Sequence, residues 1–157
     1  MDLFVPSPVG IIRLSCDVSG NFITGLHFAD ETDDTDFPNN GVFPALLQCK
    51  KELEEYFGGK RKIFTVKTKN AGAAFSERCW RELLNIPYGE TRTYSYIAEK
   101  IGNPKAVRAV GSANSRNNIS IIYPCHRVIG KNGRLTGYAG GQWRKEWLLN
   151  HEKRFNP

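Results

Sequence analysis

The 157-residue sequence predicts a mixed α/β (α+β) chain in two parts, a small antiparallel sheet with one helix and then a mostly helical domain. Apolar residues partly alternate near the start of the chain, which is typical of strands, whereas helical spacing dominates the second half. The charge also changes sign, because residues 1–70 carry a net −2 and residues 71–157 a net +8. We therefore place two domains at 1–72 and 73–157.

The first domain is expected to begin with a β-hairpin. Residues 10–15 and 22–28 show the alternation of paired strands, and the Ser-Gly-Asn sequence at 19–21 favours a turn between them. The acidic, turn-rich segment 30–41 is expected to be a loop. Residues 62–67 are expected to form a further strand.

One helix of the first domain is predicted at 44–57. Pro44 suits the first turn of a helix, and the pair Gly58 and Gly59 favours its end. Its apolar residues recur at helical spacing and should face the core; they are Leu46, Cys49, Leu53 and Phe57.

The second domain is predicted to contain a helix-turn-helix. Thr93 can cap a short helix that ends at Gly102. Asn103 can then cap a second helix that starts with Pro104 and runs to about Asn114. Two short helices joined by a glycine-containing turn are typical of this DNA-binding motif, although plain helical hairpins share the pattern.

The remainder of the second domain combines helices and turns. One helix is expected at 75–84 and a final one at 142–152. Residues 119–123 have the composition of a strand. The Asn-Gly pair at 132–133 favours a tight hairpin turn, and the glycine-rich segment 137–141 is expected to be a loop.

Composition limits the classes of protein and of partner. No run approaches the roughly 20 apolar residues of a membrane span, and the start does not resemble a signal peptide, so we expect a cytoplasmic or nuclear protein with no membrane partner. Its four cysteines are then expected to be thiols. No spacing resembles a zinc site, so no metal is expected, although Cys16 and His27 leave a metal pair open. The basic half suggests a nucleic acid, with a solvated surface as an equal alternative.

Cys125 is the candidate nucleophile. Its neighbours His126 and Arg127 can stabilise a thiolate. In a strand His126 would point away from the sulfur, so either Pro124 makes a turn or a water carries the proton. Glu152 is a candidate carboxylate to hold the imidazole. The alternative, which the Cys-His pair alone favours, is a buried unreactive cysteine beside a structural histidine.

The pentapeptide Pro-Cys-His-Arg-Val at 124–128 resembles the active-site signature of the 6-O-alkylguanine-DNA alkyltransferases. The resemblance is specific over about 75–152 and looser before it. It implies a ribonuclease-H-like first domain and a winged-helix-like second domain. It also implies DNA repair by irreversible transfer of an alkyl group from the 6-oxygen of guanine, and from the 4-oxygen of thymine, to one cysteine. Further matching segments lie at 86–90, 94–95, 102–106, 108–111 and 145–149.

The resemblance also implies catalytic roles. Cys125 matches the acceptor thiol, which His126, a bridging water and Glu152 activate. Asn117 matches the asparagine that orders the active-site turn. Tyr94 matches the tyrosine that donates a proton or hydrogen bond to the departing guanine. No cofactor is implied.

The implied partner is double-stranded DNA that contains an alkylated guanine. Arg108 matches the arginine that enters the base stack and fills the space of the flipped nucleotide. The resemblance also implies that the helix around it enters the minor groove. Its small side chains would let the helix backbone approach DNA closely: Ala106, Ala109, Gly111, Ser112 and Ala113. A monomer is expected, with clustering on DNA left open.

The substrate pocket is implied to contain Val128, Tyr138, Ala139, Gly140, Ser120 and Thr136. Ala139 lacks a hydroxyl that some relatives have. Ser120 and Thr136 stand where some relatives have proline and glycine, so we expect large alkyl groups to react less well. Two other functions stay open: a helix-turn-helix regulator or lesion sensor without transfer activity, and a cysteine-dependent hydrolase.

Overall fold

The computed structural model describes residues 1–29 and 43–156. The loop expected at 30–41 lies outside these residues. The chain divides into two compact units, Met1–Asn70 and Ala71–Pro157. Both contain helices and strands, so the predicted α/β class is confirmed. No helix within the described ranges is long and apolar enough to cross a membrane.

The first unit contains a three-stranded antiparallel sheet in the order β1-β2-β3. The strands are β1 at Asp2–Val5, β2 at Ile11–Cys16 and β3 at Ile23–Ala29. The hairpin expected from the alternation is confirmed, with its ends shifted by one residue. β2 buries Ile12, Leu14 and Cys16, so alternate residues of the strand face the core. β1 has only four residues, too few for periodicity to identify it.

Helix α1 spans Pro44–Phe57, as predicted. Pro44 occupies the first turn, where the missing N–H has no helical partner to lose. The helix buries three of the four apolar residues expected on its inner face, but Tyr56 is fully buried where Phe57 was expected. The 3.6-residue period places either position near the core, and the tyrosine takes the inner one.

The strand expected at 62–67 is wrong. The buried carboxylate of Glu52 in α1 accepts hydrogen bonds from the backbone N–H groups of Thr65 at 2.8 Å and of Val66 at 3.1 Å. A side chain therefore occupies donors that a sheet would use. Pairing with the sheet is limited here to an isolated bridge between Ile23 and Thr68.

Four α-helices and one parallel strand pair lie in the described part of the second unit. The helices are α2 at Ala74–Leu83, α3 at Tyr94–Lys100, α4 at Val107–Ser115 and α5 at Gln142–Arg154, and the strands are β4 at Arg92–Thr93 and β5 at Val128–Ile129. α2, α3 and α4 pack on one another. The indole N–H of Trp80 in α2 donates to the carbonyl of Ala113 in α4 at 2.9 Å, which fixes this packing.

The predicted helix-turn-helix is formed by α3 and α4. Thr93 caps α3 as expected, because its hydroxyl accepts from the Tyr96 backbone N–H at 3.1 Å. The expected start of the second helix at Asn103 and Pro104 is wrong. The Asn103 carbonyl accepts from the N–H of Ala106 at 3.0 Å, which closes a single turn, and the helix begins only at Val107.

The strand expected at 119–123 is also wrong. The segment is a compact turn in which the Tyr123 N–H donates to the Ile119 carbonyl at 3.1 Å. Ile121 has φ 70°, a left-handed conformation that costs a β-branched residue roughly 1–2 kcal/mol. The Asn-Gly turn has the expected positive φ at Asn132 and Gly133, but β5 beside it pairs in parallel with β4.

Candidate active site

Cys125 begins a 3₁₀ turn that spans Cys125–Arg127. The segment is therefore not a strand, because Pro124 is followed by a turn. Cys125 is 2% exposed and His126 is 0% exposed, so the turn directs both side chains inward. β5 follows at once and pairs with β4, which anchors the end of the turn.

His126 is held by the carboxylate of Glu152 from α5. Its Nε2 lies 2.6 Å from Glu152 Oε2. Arg127 donates to the same carboxylate through Nε at 2.8 Å and Nη2 at 3.1 Å, and the N–H of Gly89 lies 3.3 Å from Oε1. Burial alone raises the pKa of Glu152, but the charges and hydrogen bonds of His126 and Arg127 outweigh it and hold this pKa well below the usual range. Glu152 is thus an ionised acceptor.

This ionised acceptor fixes the tautomer of the imidazole. Burial lowers the pKa of His126 despite the opposing effect of Glu152, so the ring is neutral at pH 7. A neutral ring has one N–H, and that hydrogen lies on Nε2, which faces the carboxylate. Nδ1 then has a bare lone pair, and it has no hydrogen-bond partner among the described residues. His126 is therefore prepared to accept a proton.

The Cys125 thiol is protonated at rest. Burial raises its pKa, whereas hydrogen bonds with Asn117 and Ser120 and the charge of Lys145 lower it without overcoming burial. Ser120 therefore contributes a hydroxyl beside the sulfur. It also stands where some relatives have proline. A thiol of this kind needs a base to become a nucleophile.

Asn117 lies where it can order the turn before Cys125. Its Nδ2 donates to the carbonyl of Tyr123 at 2.9 Å and to that of Ile119 at 3.3 Å. Its Oδ1 accepts from the N–H of Ile119 at 3.2 Å. One side chain thus closes both ends of the turn that contains the left-handed Ile121.

Lys145 of α5 begins the matching segment 145–149, and it is a member of the site to which the sequence alone assigned no role. It is 0% exposed, and its Nζ lies 3.1 Å from the Thr136 carbonyl and 3.4 Å from Tyr94 Oη. The rings of Tyr94 and Tyr138 lie 5.7 and 6.0 Å from the charge. Burial lowers its pKa to about 8, against the opposing effect of Cys125. Its helical spacing to the catalytic candidate Glu152, seven residues on, is the signal that could have found it.

Tyr94 lies at the start of α3 and donates its hydroxyl hydrogen to the Thr136 carbonyl at 2.7 Å. Thr136 therefore contributes its backbone, while the residue itself is exposed. Of the other predicted pocket residues, Val128, Tyr138 and Gly140 are buried and Ala139 is exposed. The Gly140 carbonyl accepts from Arg144 Nη1 at 3.0 Å, which ties this loop to α5.

α4 presents most of the residues predicted to meet DNA on its outer face. Arg108, Ala109 and Ser112 are exposed, and Ala106 and Gly111 are half-buried. Ala113 is an exception, because it is fully buried and its side chain cannot lie on the exposed face. Small residues at this surface leave the helix backbone accessible to a ligand.

The described residues contain no cluster of three histidine, cysteine, aspartate or glutamate side chains that could hold a metal ion. Cys16 and His27, which the sequence left open as a metal-binding pair, are not brought together in the sheet. Cys16 is buried and pairs with Ile23, whereas His27 is exposed and pairs with Arg13.

Two family profiles match the chain. The profile described as the 6-O-methylguanine DNA methyltransferase DNA-binding domain matches residues 74–154, and that of the ribonuclease-like domain of the same family matches 3–69. A methylated-DNA–protein-cysteine methyltransferase of Methanosarcina acetivorans is 50% identical over 93% of the chain and 94% of its own length. One of Mycobacterium leprae is 46% identical over 94% and 88%.

Solved structures agree with these sequence matches. The O6-methylguanine methyltransferase of Mycobacterium tuberculosis superposes with a TM-score of 0.88 at 42% identity, over 99% of this chain and 94% of that one. A structure of the M. tuberculosis OGT in complex with DNA has a TM-score of 0.86 at 44% identity, over 98% and 93%. Both profiles, these relatives and the shared fold lead to one conclusion: the chain belongs to the 6-O-methylguanine DNA methyltransferase family.

Proposed function

We propose that the chain repairs DNA by moving a methyl group from the 6-oxygen of guanine to the sulfur of Cys125, once per molecule. The observation that carries this proposal is the bare Nδ1 of the buried His126, which Glu152 holds in one tautomer beside the cysteine turn. A neutral, oriented base one residue after a protonated thiol in the same turn can take the thiol proton and so generate a thiolate.

The proposed reaction balances without a co-reactant. The thiol proton passes through a water to His126 Nδ1, and the thiolate attacks the methyl carbon. The carbon–oxygen bond breaks, and its electron pair stays on the guanine, which takes a proton from Tyr94. The new carbon–sulfur bond is a thioether with no good leaving group, so the protein is not regenerated. Lys145 supports the thiolate and the developing negative charge on the base because its ammonium lies beside Tyr94.

DNA engagement is assigned to the second half of the chain, which carries the net +8. The methyl carbon of a lesion is hidden in the duplex, so the nucleotide must be extruded, at a cost of a few kcal/mol. We assign Arg108, exposed on α4, to fill the vacated space, and the small residues around it to approach the minor groove. A relative at 44% identity whose solved structure is a complex with DNA supports this assignment.

The decisive experiment is a mass spectrum of the protein after incubation with duplex DNA that contains 6-O-methylguanine. One methyl mass on the Cys125 peptide is expected, and Cys125→Ser should bind the DNA without gaining it. The other cysteines, Cys16, Cys49 and Cys79, are buried and serve as internal controls. A methyl group on one of them, or repeated turnover without protein modification, would contradict the proposal; the second outcome would favour a hydrolase.

A further inference from the structure

Arg127 binds both oxygens of the carboxylate that orients the proposed base. Its Nε donates to Glu152 Oε1 at 2.8 Å, and its Nη2 donates to Oε2 at 3.1 Å. Its Nη1 donates to the Ile86 carbonyl at 2.7 Å, and its guanidinium carbon lies 5.7 Å from the centre of the Tyr88 ring. Two parallel contacts between a guanidinium and a carboxylate are among the strong hydrogen bonds of proteins, so this pair is firmly held.

Arg127 and His126 share this one carboxylate. Glu152 Oε2 lies 2.6 Å from His126 Nε2 and 3.1 Å from Arg127 Nη2. His126 and Glu152 are 0% exposed and Arg127 is 7% exposed, so solvent compensates little of their charge. A buried charge must be balanced by its contacts. The guanidinium balances the single negative charge of Glu152, and little of that charge is left to stabilise a cation on His126.

The other groups around His126 add positive charge or none. Lys145 of α5 is a further buried cation, and its charge lowers the pKa of His126, as does that of Arg127. Cys125 in the same turn is a protonated thiol. Helix α2 also packs against the turn, and its buried side chains bring one thiol and no charge: Ser76, Cys79, Trp80 and Leu83. A proton on His126 would therefore add a third cation around one carboxylate.

We propose that Arg127 is a positioning residue that keeps His126 neutral by balancing the charge of Glu152. The carboxylate then orients the imidazole without making it a strong base. Nδ1 of His126 stays bare at neutral pH and can accept the thiol proton when a lesion is bound. This inference rests on the proposed methyl transfer.

Removal of the guanidinium should transfer its part to a proton on His126. In Arg127→Met the buried Glu152 keeps the imidazole as a contact but loses its cation. A charge in direct contact shifts a pKa by about 1–3 units, so the pKa of His126 rises in the variant. A protonated imidazole has a hydrogen on both nitrogens and cannot accept another. The base is then lost at pH values where the parent still has it.

Carbon-13 NMR of labelled histidine follows this protonation directly. The chain has three histidines, so His27 and His151 serve as internal references. The titration midpoint of His126 should lie at least about one pH unit higher in Arg127→Met than in the parent, and the two references should not move. An unchanged midpoint of His126 would overturn the proposal.

The pH dependence of methyl transfer tests the same shift in the reaction. Single-turnover rates are measured with saturating methylated duplex between about pH 5 and 9. The acid limb should move to higher pH together with the NMR midpoint, and each unit of displacement lowers the rate on that limb about tenfold. A purely structural role would lower the rate at every pH and leave the limb in place, which would overturn the proposal.

Two further variants separate charge from general damage. Arg127→Lys keeps a cation beside Glu152 but not the fork, so it should recover at least about half of the displacement. A displacement as large as in Arg127→Met would overturn the proposal. Arg81→Met makes the same change at an exposed position of α2 and should match the parent in both measurements. A displacement there would show that the measurements report general damage and would overturn the assignment.

Urea unfolding keeps the test valid for a variant that folds poorly. The pKa of His126 is lowered in the folded parent, so this group stabilises the parent more as the pH rises. In Arg127→Met the folded-state pKa should be raised, and the stability from the His126 proton is lost as the pH rises through it. The free energy of unfolding of the variant relative to the parent should therefore fall between about pH 5.5 and 8. A difference that is constant or grows smaller would overturn the proposal.

These measurements distinguish the two levels of the argument. If the parent gains no methyl group from the duplex, the proposed function fails, and the NMR and unfolding results still decide whether Arg127 keeps His126 neutral. If the parent is methylated and the His126 midpoint does not move in Arg127→Met, this inference alone fails.

Discussion

Lys145 carries a positive charge into a part of the site that is closed to solvent, where its field reaches the sulfur of Cys125. Burial is the reason that its pKa is lowered to about 8. The charge is therefore present below that pH and lost above it. A thiolate forms more easily while the ammonium is charged, so one side chain sets an upper pH limit on the reaction.

We predict that the single-turnover rate of methyl transfer falls as the pH rises through about 8. Lys145→Met keeps the length of the side chain without the charge. It should be roughly tenfold slower at pH 7, as for the loss of about 1.4 kcal/mol of electrostatic stabilisation, and should lack this fall. Rates measured between about pH 6 and 10 check both points. A parent rate that keeps rising to the alkaline end would remove Lys145 from this role.

Glu152 holds His126 and also contributes to the stability of the fold. Its folded-state pKa is depressed, so its contribution to stability is complete above its ordinary value of 4.5 and is lost as the pH falls through the folded-state value. Removing the charge leaves Arg127, which is nearly buried, without its counter-charge. The loss of this counter-charge is the main cost of the substitution, because breaking a buried ion pair costs about 3–5 kcal/mol.

We predict that Glu152→Gln lowers the free energy of unfolding by about 3 kcal/mol at pH 7. The difference from the parent should narrow only at pH values below about 4.5, where Glu152 of the unfolded parent begins to bind a proton while the folded carboxylate is still ionised. Urea unfolding at a series of pH values measures it. Glu146→Gln, at an exposed position of the same helix, is the control and should change little. Equal effects of the two substitutions would show that the buried pair is not the source.

At the scale of elements, the loop between β5 and α5 brings a glycine against Tyr94, the proposed proton donor. Gly137 has φ 71°, and a Cβ added to it would lie 3.2 Å from Tyr94 Oη. Gly133 has a similar φ of 78°, but its added Cβ would have no atom within 4 Å. The two glycines share a backbone conformation and differ in what surrounds them.

We predict that Gly137→Ala slows methyl transfer by roughly tenfold or more. The alanine side chain would push the Tyr94 hydroxyl out of the position from which it gives its proton to the guanine. Gly133→Ala carries the same penalty of about 1 kcal/mol for a left-handed alanine, so both variants should be destabilised alike. The transfer rate of Gly133→Ala should match that of the parent. Parallel rate measurements and thermal melts check this pair, and equal rates for the two variants would refute the crowding of Tyr94.

Elements with long periodic runs are predictable because their pattern is local. α1 and the β2-β3 hairpin follow from the apolar spacing together with local proline, glycine and turn signals. The segments at 62–67 and 119–123 fail for one shared reason, since their backbone groups bond to the side chains of Glu52 and Asn117. Composition shows which residues favour a strand. It does not show that a side-chain carboxylate or amide will bond to the backbone groups that a neighbouring strand would otherwise bond.

The candidate site divides in the same way. Cys125 and His126 are identifiable because they are adjacent in one motif, and Glu152 follows from the resemblance. Lys145 comes from α5 and meets Tyr94 of α3 only in the folded chain. The seven-residue spacing to Glu152 places Lys145 on the same face of α5, but its burial and its hydrogen bonds exist only in the fold.

At the scale of the whole molecule, the charge is concentrated in one half of the chain. The second half carries a net +8 and contains α4 with the exposed Arg108, whereas the first half carries −2. Attraction to phosphates requires no particular base sequence, and a helix surface of small residues has few groups that could read base edges. Binding to undamaged duplex should therefore be electrostatic and nearly independent of sequence.

We predict that affinity for undamaged duplex DNA falls steeply with salt. If about four phosphates are neutralised, the slope of log K against log salt is about −3.6, and affinity falls about 150-fold between 50 and 200 mM salt. Arg108→Ala should weaken binding, and the slope should flatten by at most about one unit, because an arginine assigned to the base stack need not neutralise a phosphate. Arg13→Ala, on β2 in the acidic half, is the control and should leave the slope unchanged.

Fluorescence anisotropy with two unrelated sequences measures all of these quantities. Affinity that does not respond to salt, or a strong preference for one sequence, would support a sequence-specific regulator in place of a repair protein that must find lesions anywhere in the duplex.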